Sequence, residues 1–301
     1  MINKEKCFEI LDDCKEMNVK AIQFTGGGEP TIHPNFIEIV EYALDLGFDV
    51  GLVTNGSMLS KKRHREVAVR LVWLRVSIDA ADRHYYSEER RVGLKAWDNL
   101  EKGVRLLRED LNNLKSETVL GAGYVVTDRN WKGIHKATGI YKDWGFDNVR
   151  LGLMFSPDGA KPYEDFRYDM SYLAIKAVED FSDRSYTVIN RVSEKYDELD
   201  KGNPTFEFCS YQHFTQYIGG DLNLYRCCVY AYNYHGLVGS LRNMRYKELL
   251  DSQSKKENMS NFKASSCERC QFTDIIKNTN SFIESEIDPP NKDIPMHVNF
   301  T

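Results

Sequence analysis

The sequence has 301 residues, 42% of them hydrophobic, and its 40 basic and 45 acidic residues give a formal net charge of −5. A chain of this length can bury a sizeable core, so we expect one large domain with an appendage. We find no run of about 18 apolar residues and no apolar signal segment, so no membrane span is expected and the cytoplasm is the default location. Mild acidity and scattered Lys and Arg residues argue against nucleic acid as a partner.

Apolar spacing predicts helices that alternate with strands along the first half of the chain. Helices are expected near residues 7–17, 36–44, 97–107 and 134–140, and strands at 21–24, 48–56, 71–79, 119–127 and 148–155. Strands that alternate with helices of about 10–15 residues form βαβ units with right-handed crossovers. The sequence therefore predicts an α/β fold with a parallel sheet.

The first predicted strand runs into an unusual glycine turn, in the stretch AIQFTGGGEPTIHP at residues 21–34. Gly26, Gly27 and Gly28 lack side chains, so their backbone groups can approach a ligand closely, and Glu29 offers a carboxylate to an amine. A phosphate cradle is disfavoured, because neither a Lys-Ser/Thr pair nor a GxGxxG pattern follows. The alternative is an ordinary strand-to-loop turn with a surface Glu.

Polar residues also follow the next three predicted strands. They are Thr54 and Asn55 after the second strand, Ser77 and Asp79 after the third, and Asn130 after the fourth. The carboxyl ends of parallel strands meet at one edge of a sheet, where α/β proteins bind ligands. We therefore expect a ligand site at this edge.

The motif GGGEPTIHP, with TNG at 54–56 and SID at 77–79, resembles the radical S-adenosylmethionine (radical SAM) superfamily. The resemblance implies a partial (β/α)6 TIM-like barrel, in which the glycines and Glu29 hold the amino group of SAM and Ser77 and Asp79 lie near its ribose. The full set of SAM-contacting positions that it implies is Gly26, Gly27, Gly28, Glu29, Thr54, Asn55, Ser77, Asp79, Asn130 and the backbone of Leu151 and Leu153, which would face the adenine.

One expected motif is missing from the sequence. Members of the superfamily carry CxxxCxxC on a loop before the first helix, and its three thiolates bind a [4Fe–4S] cluster with one iron left open for SAM. This sequence starts at that helix, and none of its cysteines have the spacing. We expect a truncated enzyme that lacks the first strand and the cluster loop and is inactive alone. The alternative is a shortened protein that only binds a peptide or a partner.

A second group of cysteines lies near the C-terminus. Cys209 is followed by the adjacent pair Cys227 and Cys228, and then by the CxxC motif of Cys267 and Cys270. Four converging thiolates can bind Zn²⁺ or a [4Fe–4S] cluster, and the spacing does not choose between them. Cysteines that pack separately are the third possibility.

These cysteines, with the turns Gly219-Gly220 and Gly239-Ser240-Leu241, resemble the twitch domain, a shortened SPASM domain found after radical SAM barrels. The resemblance implies that Cys209, Cys227, Cys267 and Cys270 ligate one auxiliary [4Fe–4S] cluster, with Cys228 as a possible substitute for Cys227. It divides the chain into a barrel core at 1–155, a bridge at 156–205, a twitch-like domain at 206–283 and an irregular tail at 284–301.

The function implied by both resemblances is reductive cleavage of SAM to a 5′-deoxyadenosyl radical, which abstracts hydrogen from a small alcohol or a peptide. The auxiliary cluster would accept an electron, and flavodoxin or ferredoxin would be the reductant. Two other hypotheses stay open at this point, a non-catalytic scaffold and a zinc-stabilised α/β protein of unrelated function. We identify no pair of residues in the sequence as a catalytic acid and base.

Overall fold

A computed structural model gives the structure of the protein and describes residues 1–285. The helices are α1 (Lys4–Glu16), α2 (Phe36–Asp45), α3 (Lys62–Ala68), α4 (Arg83–Arg90), α5 (Lys95–Leu114), α6 (Ile134–Trp144), α7 (Arg167–Phe181), α8 (Val192–Asp200), α9 (Tyr211–Phe214), α10 (Tyr246–Asp251), α11 (Gln253–Ser260) and α12 (Thr273–Ser285). The strands are β1 (Ala21–Phe24), β2 (Asp49–Thr54), β3 (Trp73–Ser77), β4 (Val119–Val126), β5 (Asn148–Leu153), β6 (Thr187–Asn190), β7 (Tyr217–Ile218), β8 (Asn223–Tyr225) and β9 (Leu237–Ser240). Most of the tail predicted at 284–301 lies outside the described residues.

The first six strands form one parallel sheet in chain order, β1-β2-β3-β4-β5-β6. Each strand pairs with the next strand in the sequence, so the chain must return between them, and it does so through helices in every connection. The prediction of an α/β fold with a parallel sheet is confirmed. All six carboxyl ends meet at one edge of this sheet.

The two faces of the sheet differ in composition. One face is apolar and fully buried, through residues such as Leu74, Val76, Leu120, Ala122, Val149 and Leu151, and α5 contributes Trp97, Leu100, Val104 and Leu107 to the same core. Side chains alternate along a strand, so the intervening residues point the other way. This second face of the sheet carries Gly51, Trp73, Arg75, Ser77, Gly121, Gly123, Arg150 and Gly152.

The segment 156–205, predicted to be a bridge, contributes two elements to the sheet layer. Helix α7 packs against β6, and β6 pairs with β5 as the sixth parallel strand. Strand β6 was not predicted, because it has four residues and only Val188 among them is buried. Helices α3 and α4 were not predicted either.

The described chain forms two compact units. Residues 21–197 make up the sheet and its helices, and residues 1–20 group with those from 198 onward. In the second unit, β7, β8 and β9 form an antiparallel sheet, and the buried carboxylate of Asp13 on α1 accepts a hydrogen bond from Arg245 Nε at 3.0 Å. Within residues 1–285, none of the helices combines the length and hydropathy needed to cross a membrane. The boundaries at 155, 205 and 283 stay predictions.

Candidate functional site

The glycine turn after β1 is exposed at Gly26, Gly27 and Gly28. A β-carbon at Gly26 would lie 2.2 Å from the carbonyl oxygen of Gly28, so the turn itself requires glycine at position 26. At Gly28 a β-carbon would meet nothing within 4 Å. The backbone at Gly28 is therefore open to a ligand at the carboxyl edge of the sheet.

The Glu29 carboxylate is held in a fixed orientation by four hydrogen bonds. Its Oε1 accepts from Thr31 N–H at 3.1 Å, from Thr31 Oγ1 at 2.5 Å and from Thr54 Oγ1 at 2.6 Å, and its Oε2 accepts from Asn55 N–H at 2.6 Å. The structure thus brings Glu29, Thr54 and Asn55 together, as the sequence placed them. A carboxylate oxygen has about two acceptor positions, so Oε2 retains capacity for one more donor.

Two residues that support this carboxylate were not singled out from the sequence. Thr31 gives Glu29 two of its bonds, and the Thr31 carbonyl contacts His64 Nε2 at 3.1 Å. The imidazole of His64 stacks on Phe36 with a ring-centroid separation of 5.7 Å, and burial lowers the pKa of His64. His64 is therefore neutral at pH 7 and fixes the far side of the loop that holds Glu29.

Asp79 lies just beyond β3, in the left-handed region with φ of 60°. Its carboxylate accepts from Val125 N–H at 2.7 Å and from Arg90 at 2.6 Å, and Arg90 also donates to the Ser77 carbonyl at 3.3 Å. Burial raises the pKa of Asp79, although these bonds oppose the shift. Ser77 and Asp79 are thus placed at the carboxyl edge by α4, through an arginine that the sequence had not indicated.

Asn130 is buried and has a structural role in the same edge. Its amide donates to the carbonyls of Asp79 at 3.1 Å and Val125 at 2.9 Å, and its Oδ1 accepts from Thr127 N–H at 2.7 Å. These contacts tie the end of β3 to the end of β4. Both the amide nitrogen and the amide oxygen of the Asn130 side chain are therefore hydrogen-bonded to the backbone of the protein.

Leu151 and Leu153 lie inside β5, with side chains buried in the apolar core. The carbonyl of Leu151 accepts from Arg191 N–H at 3.0 Å, so this part of the backbone is committed to the sheet. Between them, Gly152 lies on the second face of the sheet, and a β-carbon there would meet nothing within 4 Å. The open space at this position is therefore beside Gly152.

Four of the five C-terminal cysteines surround one cavity. Cys209, Cys227, Cys267 and Cys270 line this cavity together with aromatic residues and Arg226. Cys228 is exposed and does not line it. All of these cysteines are free thiols. The structure thus brings together the same four cysteines that the resemblance selected.

The thiols of this cavity lie close enough to affect one another. Burial, and then the neighbouring Cys227 and Cys270, raise the pKa of Cys267 to about 12, and burial raises the pKa of Cys270 to about 11. Among the described residues, these sulfur atoms do not form a group in which three lie within 4.8 Å of one another. A Zn²⁺ ion with four thiolates needs sulfur atoms about 3.8 Å apart, whereas the corners of a [4Fe–4S] cluster are wider.

A buried cation lies beside this cavity. The guanidinium of Arg226 donates to Gln212 at 2.7 Å and to Asn258 at 2.8 Å, and it stacks on Phe262 at 3.8 Å. Its positive charge acts on Cys267, Cys209 and Cys227. Sequence reasoning missed Arg226, although its position directly before Cys227 was a usable signal.

Residues 1–134 match the family model described as "Radical SAM superfamily". Over 167 residues the chain is 28% identical to the tungsten-containing aldehyde ferredoxin oxidoreductase cofactor-modifying protein of Pyrococcus furiosus, covering 54% of this chain and 46% of that protein. Over 185 residues it is 24% identical to a probable GTP 3',8-cyclase of Saccharolobus islandicus, covering 58% and 55%. The chain thus spans about half the length of the curated relatives it matches.

Solved structures share the fold at lower identity. Streptococcus suis SuiB bound to its precursor peptide SuiA superposes with a TM-score of 0.61 at 15% identity, over 92% of this chain and 67% of that one. SuiB bound to S-adenosylmethionine gives a TM-score of 0.53 at 13% identity, over 83% and 57%. The match of residues 1–134 to the radical SAM superfamily model implies S-adenosylmethionine and a [4Fe–4S] cluster, the cofactors of that family.

Proposed function

We propose that this chain is the SAM-binding and auxiliary-cluster part of a radical SAM enzyme. The observation that carries the proposal is the convergence of Cys209, Cys227, Cys267 and Cys270 on one cavity. The cysteines that line this cavity lie C-terminal to the part of the chain that matches the superfamily model. Such a set of thiols fits a fully ligated auxiliary [4Fe–4S] cluster, in a twitch-like domain at residues 206–283.

The carboxyl edge of the sheet would bind SAM. The Glu29 carboxylate is oriented by Thr31, Thr54 and Asn55, so its Oε2 can accept a hydrogen bond from the amino group of SAM. The exposed backbone at Gly28 lets the methionine part approach. Asp79 and Ser77 lie at the end of β3, where a ribose hydroxyl could bond to a carboxylate oxygen or a hydroxyl.

When bound with SAM, a catalytic [4Fe–4S] cluster supplies the electron that produces a radical able to abstract hydrogen from a substrate. The seven cysteines of this sequence include no CxxxCxxC. We therefore propose that the thiolates for that cluster come from outside the printed sequence, and that this chain is inactive alone. Its own residues bind SAM, exclude water from the thiol cavity and orient the substrate.

We propose a peptide as the substrate, with a small alcohol as the second candidate. The peptide is supported by the structural likeness to SuiB, a protein whose solved structure contains a precursor peptide and whose superposition covers most of this chain. The GTP cyclase relatives match a smaller part of this chain. A flavodoxin or a ferredoxin would supply electrons to the complete enzyme.

The experiment is iron and sulfide analysis with low-temperature electron paramagnetic resonance after anaerobic reconstitution, with and without SAM. About four irons per chain and a signal that SAM does not change support the proposal. About eight irons with a SAM-sensitive signal would show that this chain binds a catalytic cluster as well. A colourless protein that contains zinc would contradict the auxiliary cluster.

A further inference from the structure

Glycines on the second face of the sheet leave room for side chains from neighbouring strands. A β-carbon at Gly51 would lie 2.4 Å from the indole of Trp73, and one at Gly123 would lie 3.6 Å from Cδ of Arg75. These side chains therefore lie flat against the strands beside them. Glycine at such positions marks the close approach of another group to the backbone.

Two arginines share this surface. Arg75 on β3 pairs in register with Gly121 on β4, and Gly123 pairs with Arg150 on β5. Residues paired between strands point to the same face, as do residues two apart along one strand. Arg75 extends over Gly123, the register partner of Arg150. The fold thus places Arg75 and Arg150 on one face of the sheet, close enough for their charges to interact.

The surroundings of the Arg75 side chain are unfavourable for a charged group. Its Nε is buried and has no hydrogen-bond partner among the described residues, and the charged side chain that acts on it is the cation Arg150. Burial and this second cation lower the pKa of Arg75 to about 10. By contrast, Nε of the buried Arg65 donates to Asp110 at 2.6 Å. A buried donor without a partner is destabilising unless a ligand satisfies it.

We propose that Arg75 and Arg150 form an oxyanion-binding subsite on the second face of the sheet, which takes a carboxylate or phosphate group of the substrate. Guanidinium groups bind both anions through paired N–H donors. The subsite lies two residues before Ser77 on β3 and two before Gly152 on β5, where space is open. Its assignment to the substrate rests on the proposed function, whereas anion binding does not.

The test is thermal unfolding of the full chain in increasing concentrations of inorganic phosphate or of succinate, with sodium chloride keeping the ionic strength constant. A ligand that binds the folded state raises the melting temperature as its concentration rises. We expect this rise in the unsubstituted chain and its loss in Arg75→Met and in Arg150→Met. The exposed Arg70, which pairs with Asp45, provides the control Arg70→Met, which should keep the rise.

Comparing the two anions shows whether the subsite prefers a phosphate group or a carboxylate group. A larger response to phosphate indicates a phosphorylated substrate, and a larger response to succinate indicates a carboxylate. Without anion, Arg75→Met should melt at or above the temperature of the unsubstituted chain, because it removes an unpartnered donor and a like charge. An unchanged response in both variants, or no response to either anion in the unsubstituted chain, would overturn the subsite.

The test of the subsite and the test of the proposed function can fail independently. Iron content reports on the cysteines at 209–270, whereas the anion response reports on β3 and β5. A chain without iron that still responds to anions through Arg75 would contradict the enzyme proposal and retain the subsite. Equilibrium dialysis with labelled SAM adds a further check. Loss of SAM binding in Arg75→Met, without any anion response, would assign the pair to SAM and overturn its role as a substrate subsite.

Discussion

The backbone N–H of Asn55 donates a 2.6 Å hydrogen bond to Oε2 of Glu29, and so joins the end of β2 to the glycine turn that follows β1. With the Thr31 and Thr54 bonds to Oε1, this contact fixes a carboxylate at the carboxyl edge of the sheet before any ligand arrives. A preorganised acceptor binds an amine without the entropic cost of ordering the side chain on binding. Substitutions that disturb this acceptor should therefore affect both stability and SAM binding.

Replacing Glu29 by Gln should destabilise the fold by about 1–3 kcal/mol, because an amide presents an NH₂ group to donors that now face a carboxylate oxygen. Urea denaturation measures the loss, and labelled SAM in equilibrium dialysis should show weaker binding. Glu109→Gln, on the exposed side of α5, serves as the control. An unchanged urea midpoint for Glu29→Gln would mean that the four bonds do not contribute to stability.

Serine at Cys209, Cys227, Cys267 or Cys270 should reduce the iron content of the reconstituted chain well below about four per molecule, because each thiolate is one of four ligands. Cys228→Ser is the matched control, since Cys228 is adjacent to Cys227 but does not line the cavity. Iron content and visible absorbance measure the outcome. If Cys228→Ser lost iron and Cys227→Ser kept it, the ligand assignment would be reversed.

Arg226→Gln should lower the reduction potential of a bound cluster. Reduction adds negative charge, and the buried Arg226 cation beside the thiols stabilises that charge. A potentiometric titration followed by electron paramagnetic resonance measures the potential. Arg226→Lys keeps the charge and should shift it less, and Arg242→Gln, an exposed arginine, is the control. Equal potentials in all variants would show that Arg226 only has a packing role.

His64 should make the fold less stable in acid. Burial lowers its folded-state pKa below the ordinary value of 6.5, so the unfolded chain binds a proton more readily in this range. The stability associated with neutral His64 is present above about pH 6.5 and is lost as the pH falls towards the folded pKa. Urea midpoints at about pH 7.5 and about pH 5.5 should therefore differ less in His64→Gln than in the unsubstituted chain. The exposed His84→Gln should leave the difference unchanged.

Gly51→Ala and Gly152→Ala form a matched pair on the second face of the sheet. At Gly51 the new methyl group would lie 2.4 Å from the Trp73 ring, so we expect a loss of about 1–3 kcal/mol. At Gly152 the space is open, so the change should stay within about 1 kcal/mol or stabilise. Chemical denaturation compares the two. Equal losses would mean that Trp73 moves away without cost.

Sequence reasoning placed the candidate ligand residues at one edge of the sheet because the signals for them are local. The glycine turn, Glu29 and the polar residues after each strand stand next to apolar runs that identify the strands. The partners of these residues were not predictable in the same way. Arg90 reaches Asp79 from α4, and His64 reaches Thr31 from α3, and both contacts depend on how helices pack against the sheet.

The proximity of the two arginines on the second face of the sheet was also not predictable from the sequence. Arg75 and Arg150 are 75 residues apart in the sequence, and their proximity follows from strand register. Register is determined by the packing of all strands together, and the apolar pattern of each strand alone does not give it. Strand β6 was missed because four residues with one buried side chain carry too little periodicity.

The pairing of Asp13 with Arg245 joins two stretches of sequence that lie more than 200 residues apart. The ribosome releases α1 before the parallel sheet and α10 after it. Domains generally fold as units during synthesis. Residues 21–197 can therefore form their core before residues 198 onward, which belong to the same unit as α1, have been synthesised. Until residues 198 onward are synthesised, Ile10, Leu11 and Cys14 on the apolar face of α1 lack the partners of their own unit, and a chaperone that binds this face would protect it.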